Sequence, residues 1–195
     1  MKASFKKRLI AYLLDFMLLT IIVTIINYIL PISTKQVELN NQINEIQQNL
    51  LDNKIDKEEY FNEYKKILPE YDKENMPINI CNLVFILGYF IIIPVVNNGQ
   101  TLGKKLLKIK IEKENGSLSI GDMVIRNFVT TSLLQLMIAS TFVYIVNGDI
   151  YYNLSAIISF LQILLVIITS FMIIYRKDKK GVQDLLTGTQ VIEVQ

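Results

Sequence analysis

The sequence predicts an all-α membrane protein with four transmembrane helices, a helical hairpin outside the membrane and a small β-sheet on the cytoplasmic side. Three observations predict this fold class: four long apolar blocks, basic residues grouped at alternate ends of those blocks, and a polar segment between the first two. A bilayer core of about 30 Å requires about 20 apolar residues in a helix. Blocks of that length lie at 9–30, 78–96, 123–146 and 154–175.

The first apolar block is interpreted as a retained helix rather than a secretory signal peptide. It is longer than the apolar region of a signal peptide, it contains Asp15, and no small-x-small cleavage site follows it. We expect this helix to end before Pro31, because proline disrupts a helix interior.

The positions of lysine and arginine predict the orientation of the spans. The N-terminal segment, the segment from the end of the second span to Arg126 and the C-terminal tail carry four, six and four of the 20 basic residues. The segment 32–77 carries six lysines against ten acidic residues and is net negative. Because short loops rich in Lys and Arg stay on the cytoplasmic side, we predict cytoplasmic N- and C-termini and a multi-pass protein of the plasma membrane.

Composition narrows the function classes. The formal net charge is only +2, and no basic stripe interleaved with aromatic residues indicates nucleic-acid binding. The chain has no histidine and a single cysteine, Cys81, so it lacks the residues of most transition-metal sites and of an intrachain disulfide. The sequence also shows no nucleophile–base set and no paired carboxylates. We therefore expect no catalytic residues, no cofactor and no metal.

The segment 32–77 predicts an antiparallel pair of helices outside the membrane. The first helix has an apolar stripe at helical spacing, formed by Leu39, Ile43, Ile46 and Leu50. The second begins after Asp56, whose spacing to Glu59 has the form of a capping box, and it ends at Pro69. Two interpretations stay open: a solvated spacer whose stripe is its own two-helix seam, or a docking surface for an external partner or another subunit.

The loop between the second and third spans predicts a β-hairpin. Asn115-Gly116 is the strongest two-residue hairpin signal, and apolar and basic residues alternate before it. We place the two strands at 106–113 and 117–120. The short β-like run 189–194 in the tail could add a third strand.

The same loop carries lysines and a run that superficially resembles a phosphate loop. Only three residues separate Gly99 from Gly103, and Lys105 stands where that motif needs Ser or Thr, so we reject it. The lysines most simply fix the orientation and meet anionic lipid at the membrane surface. A dedicated site for an anionic ligand is the alternative. At the end of the loop, Ser119 is expected to cap the third span, with Asp122 at its third position.

Asp15 is the only acidic residue within any predicted span. An ionisable side chain in the membrane is costly and indicates a functional site by default. Arg8 precedes it by seven residues, so both lie on nearly one helix face, about 10 Å apart along the axis. A direct bond needs a connecting group, which Tyr12 or an acid from another segment would supply.

Polar residues follow one helix face in each of the last two spans. In the fourth span they are Ser155, Ser159, Gln162 and Thr169, and in the third they are Thr131 and Gln135. Small and hydroxyl-bearing residues let helices approach closely and form hydrogen bonds across the contact. The stripes therefore predict helix packing, with the lining of a water-filled path or ligand cavity as the alternative.

Four stretches of the chain resemble, in order, the RDD family of bacterial membrane proteins, which is named for one arginine and two aspartates. These stretches lie at 5–15, 98–111, 125–127 and 179–191. Arg8 and Asp15 match the first two signature residues, and Asp184 matches the third. The resemblance covers nearly all of the chain outside 32–77.

The resemblance also identifies a group of residues in the central loop and the following helix. They are Gly99, Gln100, Thr101, Gly103, Lys104 and Arg126. Two features depart from the family pattern. Gln183 stands where the family tail usually carries His before the last aspartate, so no proton relay through an imidazole is implied, and the segment 32–77 is long for the family.

The resemblance implies a membrane protein of undetermined activity, because most members have no known function. Some members have been proposed as cation/proton antiporters, and related domains are accessory parts of larger membrane complexes. The first hypothesis is monovalent cation/proton transport through a charged network of Arg8, Asp15 and Asp184. The second is a non-enzymatic accessory or scaffold subunit that uses the outer hairpin as a docking surface. In addition to the lipid bilayer, the expected partner is a second copy of the chain or another membrane protein.

Overall fold

The computed structural model describes residues 1–30 and 32–194, so Pro31, which was expected to follow the first span, lies outside the described residues. The helices are α1 Phe5–Ile29, α2 Thr34–Leu51, α3 Lys57–Glu74, α4 Met76–Val96, α5 Leu102–Leu106, α6 Ile120–Thr130, α7 Leu133–Thr141, α8 Gly148–Tyr175 and α9 Val182–Thr187. The strands are β1 Ile109–Lys113 and β2 Thr189–Glu193.

Three helices are long and apolar enough to cross a membrane: α1, α4 and α8. A fourth span exists if α6 and the helical segment Leu133–Tyr144, which are bent by 89° against each other, count as one. Only 11% of the most apolar window of α1, and of α8, is buried within the protein. These helices present apolar surfaces that suit a lipid bilayer. The predicted multi-pass, mostly helical protein is confirmed, with three or four candidate spans.

Residues 123–146, predicted as the third span, do not form one continuous helix, because the chain turns sharply after α6. Thr131 is extended, with φ −129° and ψ 172°. Its hydroxyl donates to Asn127 O at 2.8 Å and accepts the N–H of Leu133 at 3.4 Å. Hydroxyl side chains compete in this way with the helical hydrogen-bond pattern. The run of three hydroxyl residues at 130–132 therefore ends one helix and starts another.

α4 contains a wider π-helical segment, Leu87–Ile92, followed by Pro94. Proline has no N–H, so the carbonyl of Phe90 lacks its usual donor four residues later. Asn127 on α6 donates its Nδ2 to that carbonyl at 3.0 Å. The irregularity in α4 thus becomes a contact point between two helices, which suits a membrane interior where backbone groups need protein partners.

α8 begins six residues earlier than the predicted start at 154. Asn147 caps it, because its side-chain oxygen accepts the N–H of Ile150 at 2.9 Å. The short loop expected between the last two spans is therefore mostly helical. Its residues include Tyr151, which is 0% exposed and belongs to a buried apolar cluster with Ile138 and Val143.

α2 and α3 form the predicted hairpin and pack along each other. Leu39 and Ile46 of the α2 stripe are buried, and Asp56 caps α3 by accepting the N–H of Glu59 at 2.8 Å. Near the base of the hairpin, Gln36 of α2 donates to Asn75 at the end of α3. The stripe therefore serves as the seam between the two helices.

α3 also fastens the hairpin to α8. Leu68 packs against the cluster around Tyr151, and the Tyr151 hydroxyl donates to Asp72 at 2.5 Å. Lys65 pairs with Asp149 at 3.4 Å. These apolar, hydrogen-bond and charge contacts, all from α3, fix the orientation of the hairpin relative to α8.

The prediction that Pro69 ends the second hairpin helix is wrong, because α3 continues through it to Glu74. An interior proline removes one backbone donor and crowds the carbonyl four residues earlier, at a cost of about 3 kcal/mol. Packing offsets this cost. The Pro69 Cγ lies 3.4 Å from the position that a Cβ would take on Gly148, so the proline ring and the start of α8 are in contact.

The sheet has two antiparallel strands from distant parts of the chain. Ile109 of β1 pairs with Glu193 of β2, and Lys113 pairs with Thr189. Lys2 adds an isolated bridge to β2. The predicted use of the tail as a strand is confirmed, and it is this strand, rather than one from the same loop, that pairs with β1.

The expected second hairpin strand at 117–120 is wrong. Gly116 does form a turn, with φ +89°, but the chain then enters α6 at Ile120. Ser119 and Asp122 form the predicted capping box, in which each side chain accepts the backbone N–H of the other residue. Because the cap fixes these residues at the start of a helix, they do not return as a strand. The predicted first strand also starts late, since 102–106 are helical.

Two glycines with positive φ allow the cost of an unfavourable backbone conformation to be compared with the cost of a steric clash. A Cβ on Gly99 (φ +81°) would lie 1.8 Å from Ile111 O, whereas a Cβ on Gly116 meets no heavy atom of the described chain within 4 Å. We expect Gly116→Ala to lower the free energy of unfolding by about 1–2 kcal/mol, from backbone conformation alone. Gly99→Ala should cost more than about 3 kcal/mol, because β1 must also move. Thermal unfolding in detergent measures both values, and equal losses would contradict the close approach of loop and strand.

Candidate functional site

Asp184 is the centre of the first of two buried charged clusters, and it is 0% exposed. Arg8 Nη1 on α1 donates to one carboxylate oxygen at 2.9 Å, and Arg126 Nη1 on α6 donates to the other at 2.6 Å. The N–H of Gly181 donates at 3.0 Å at the start of α9. One carboxylate therefore joins α1, α6 and α9. We call these residues, Arg8, Arg126, Gly181 and Asp184, the Asp184 cluster.

Both arginines of the Asp184 cluster also bind backbone or side-chain oxygens beside β2. Arg8 Nε donates to Ala3 O at 3.2 Å and its Nη2 donates to Val191 O at 3.5 Å. Arg126 Nη1 also donates to the hydroxyl of Thr189. Because Thr189 and Val191 belong to β2, the arginines hold the sheet over the beginning of α1. We call this end of the molecule, with the sheet, α5 and α9, the sheet side.

The surrounding charges decide the protonation state of Asp184. Burial by itself raises the pKa of the carboxyl, but the charges of Arg126 and Arg8 and the Gly181 N–H together hold that pKa below its ordinary value. The carboxylate is therefore ionised at neutral pH. The stability that it contributes is present above the ordinary aspartate pKa and is lost only as the pH falls through the lowered folded value.

Asp15 is the centre of the second cluster and is 1% exposed. Its Oδ2 accepts the Thr101 hydroxyl at 2.5 Å. Its Oδ1 accepts the Gly103 N–H at 2.7 Å and the Tyr89 hydroxyl at 2.6 Å. The donors come from the π-helical part of α4, from Thr101, which directly precedes α5, and from Gly103 in α5. We call Asp15, Tyr89, Thr101, Gly103 and their neighbour Lys104 the Asp15 cluster.

Gly103 must be a glycine for the Asp15 cluster to close. A Cβ at this position would lie 2.2 Å from Ala11 O and 2.8 Å from Asp15 Oδ1, distances that atoms do not tolerate. The absent side chain lets α5 lie directly on α1. The loop motif also supports β1, since Ile111 N–H donates to Gly99 O at 2.8 Å and Gln100 Nε2 donates to Ile109 O at 3.0 Å.

Lys104 connects the two clusters electrostatically. Its Nζ lies 3.8 Å from Asp15 Oδ2 and donates to the Thr101 hydroxyl at 3.2 Å. Burial lowers the pKa of the Lys104 ammonium to about 8; the negative charge of Asp15 opposes this shift, and the positive charge of Arg126 adds to it. The cations of the two clusters therefore act on each other.

The single network of Arg8, Asp15 and Asp184 expected from the sequence is two clusters in the structure. Arg8 bonds Asp184, whereas Asp15 takes its described partners from α4 and the α5 region. Tyr12, expected to connect Arg8 to Asp15, is 39% exposed and stacks on Phe16. An arginine about 10 Å away along the same helix does not compete with donors that lie directly against the carboxylate.

The sequence reasoning missed Arg126 and Lys104 as partners of the buried acids. It assigned both to the central loop motif without an interaction. A signal was present, because Arg126 falls inside the predicted span 123–146, where an ionisable side chain indicates a site. For Lys104 no comparable signal exists, since its neighbour Lys105 is exposed and has the same chemistry.

Most of the predicted polar stripe forms contacts between helices. Gln162 Nε2 donates to Val129 O at 2.7 Å, and the Ser159 hydroxyl donates to Gln135 Oε1 at 3.2 Å. The Thr169 hydroxyl donates to Gln183 Oε1 at 3.1 Å, which fastens α9 to α8. Ser155 Oγ is buried and has no hydrogen-bond partner among the described residues. These bonds favour the packing interpretation for α8.

A cavity of about 240 Å³ lies under the sheet between α1, α6 and α8. Tyr12, Thr131 and Thr169 line it. For Thr131 and Thr169, this agrees with the alternative interpretation of the polar stripes as the lining of a cavity. Most of the remaining lining is apolar. Within the described residues, no group of three or more His, Cys, Asp or Glu side chains could hold a metal ion.

Comparison with known protein families relates this chain to one of them. The family model of the RDD family matches residues 2–188, nearly the whole chain, including Arg8, Asp15 and Asp184. The chain belongs to the RDD family. Comparisons of this RDD protein with curated proteins and with solved structures found no significant match.

The Asp184 cluster makes a quantitative prediction for this RDD protein. We expect Asp184→Asn to lower the free energy of unfolding by about 3–5 kcal/mol, because the change leaves two buried arginines without their counter-charge. Asp178→Asn is the matched control, since Asp178 pairs with Arg176 at 2.8 Å on the surface, where such pairs contribute about 0–1 kcal/mol. Unfolding of purified protein in mixed micelles measures both changes. A similar loss for both variants would contradict the structural role of the cluster.

Proposed function

We propose that this RDD protein is a non-enzymatic accessory or scaffold subunit of a membrane complex, located in the plasma membrane with cytoplasmic termini. The proposal rests on one observation: both buried carboxylates are already bound by donors from the protein. Asp15 is 1% exposed and Asp184 is 0% exposed, and each has three donors within 3.0 Å. A carboxylate whose oxygens are already bound by the protein is well suited to hold structure in place.

The contrast with transport supports this choice. A transported cation or proton must reach its carboxylate from each side of the membrane in turn. Here the bonds of Asp15 and Asp184 come from at least five separate segments, which would have to separate in every cycle. Buried carboxylates whose oxygens are all bound by protein donors instead make a structure rigid. Transport through Arg8, Asp15 and Asp184 remains a prediction and is the alternative outcome of the vesicle experiment.

The outer hairpin is the surface that we assign to the partner. α3 fixes it to α8, and α2, on the far side of the seam, leaves polar and charged residues exposed. The segment 32–77 carries ten acids against six lysines. The tip combines Leu51, which is 75% exposed, with the exposed Glu58 and Glu59. An apolar residue beside acidic ones fits a partner protein with a basic surface and an apolar contact point.

Cation-dependent proton movement in inside-out vesicles tests the proposal against transport. We expect no Na⁺- or K⁺-dependent signal from the wild type at matched expression, and the same baseline from Asp15→Asn and from the surface control Asp178→Asn. A wild-type signal that Asp178→Asn retains and Asp15→Asn loses would establish transport through Asp15 and would overturn the scaffold proposal.

Site-specific photocrosslinking in cells tests the docking surface. A crosslinker at Leu51 should capture one membrane partner, and the crosslink should disappear when Glu58→Lys and Glu59→Lys are introduced together, because the tip then repels a basic surface. The control crosslinker is placed at Leu186 on the sheet side, which is 62% exposed. Adducts between copies of this chain alone, or a crosslink that survives the charge reversal, would contradict the assigned partner.

A further inference from the structure

The cavity under the sheet has a wall with three cations. Arg8, Lys104 and Arg126 line it, while its lining in the described chain includes neither Asp15 nor Asp184. The two clusters together hold three positive and two negative side chains, so one positive charge has no counterpart within them. An uncompensated charge in a buried place is costly. An anion in the cavity would remove this cost.

Arg126 and Lys104 have hydrogen-bond donors that are not used by acceptors in the described chain. Arg126 is 6% exposed, and its hydrogen bonds within the described chain leave from Nη1 alone, to Asp184 and Thr189. Its Nε and Nη2 have no protein acceptor there. Lys104 Nζ uses one bond, to the Thr101 hydroxyl. A guanidinium edge beside an ammonium group is the combination that proteins use to bind phosphate oxygens.

The exposed part of the cavity lining lies on helix surfaces that suit a bilayer. Its most exposed lining residues are Leu9 and Tyr12 on α1 and Val166 on α8, at 42%, 39% and 42% exposed. They lie on two candidate membrane spans whose surfaces are mostly apolar. A ligand therefore reaches the cations from the membrane, between α1 and α8, and its apolar part can stay in the lipid.

The volume of the cavity limits how much of a ligand can enter it. A cavity of about 240 Å³ corresponds to about eight water molecules at about 30 Å³ each. This space holds a phosphate with a few further atoms, whereas two acyl chains must lie outside. Charge, access and volume together match a phospholipid that inserts only its headgroup.

We propose that this cavity binds the phosphate headgroup of an anionic membrane phospholipid. Arg126 and Lys104 bind the phosphate oxygens, Arg8 contributes the third positive charge, and the acyl chains leave between α1 and α8 into the bilayer. The bound headgroup balances the positive charge that has no counterpart within the two clusters. This site is independent of the scaffold proposal, because it concerns the sheet side and needs no protein partner.

Native mass spectrometry of the purified full chain, titrated with phosphatidylglycerol or phosphatidylcholine, tests the site. We expect one phosphatidylglycerol per chain, bound at least about tenfold more tightly than phosphatidylcholine. Lys104→Gln should weaken phosphatidylglycerol binding about tenfold, the effect of losing one charged hydrogen bond. Lys105→Gln is the matched control, one position away and exposed, and it should change binding by less than about twofold.

A second variant keeps all three cations and removes the space. Val166→Phe places a larger side chain at the opening and should abolish one-to-one binding while the thermal unfolding temperature stays near that of the wild type. This variant decides the question if Lys104→Gln fails to fold. Phosphatidylglycerol binding that is unchanged by Val166→Phe, or that falls equally in Lys104→Gln and Lys105→Gln, would overturn the site.

A soluble headgroup separates a lipid from a free anion. Glycerol phosphate is a phosphate monoester with more negative charge than the phosphodiester of phosphatidylglycerol and with no acyl chains. We still expect it to bind at least about a hundredfold more weakly than phosphatidylglycerol, because it lacks the apolar contact at the opening. Equal affinity for glycerol phosphate and phosphatidylglycerol would overturn the lipid assignment. Equal affinity for the two phospholipids would overturn the requirement for an anionic headgroup.

Discussion

The sheet side of this RDD protein depends on one buried carboxylate held between two arginines. Asp184 accepts from Arg8 and Arg126 with both oxygens, and the arginines in turn bind β2. Removing Asp184 would leave both buried arginines without their counter-charge, which is strongly destabilising. We therefore expect the sheet, α9, α6 and the beginning of α1 to form together.

The two buried aspartates are stabilised by different kinds of hydrogen-bond donor. Asp184 is balanced by full charges, whereas Asp15 is held mainly by neutral donors from hydroxyl groups and one backbone N–H, with the Lys104 ammonium farther away. Neutral donors give direction and short distances without adding charge. The surplus of positive charge consequently collects at the cavity rather than around Asp15, and this division is what makes the cavity wall cationic.

Sequence patterns predicted the features that depend on local periodicity and composition. Long apolar runs indicated the membrane helices, the stripe in α2 indicated the hairpin seam, and Ser119 with Asp122 marked the start of α6. The errors came from tertiary contacts that no local pattern records. Pro69 stays within a helix because it packs at Gly148, β1 pairs with a strand from the far tail, and Asp15 turns toward α5 rather than Arg8. Family resemblance identified Arg8, Asp15 and Asp184 but could not divide them between two clusters.

The chain separation between Arg8 and Asp184 has a consequence for biogenesis. The two residues are 176 positions apart. At about 5–20 residues per second, a ribosome finishes the second one roughly 10–35 s after the first. During that interval Arg8 and later Arg126 are in the translocation machinery or at the lipid surface without their carboxylate. A nascent chain that stalls before α9 would therefore present two unpaired arginines near the membrane, a state that quality-control proteases and insertion chaperones could recognise.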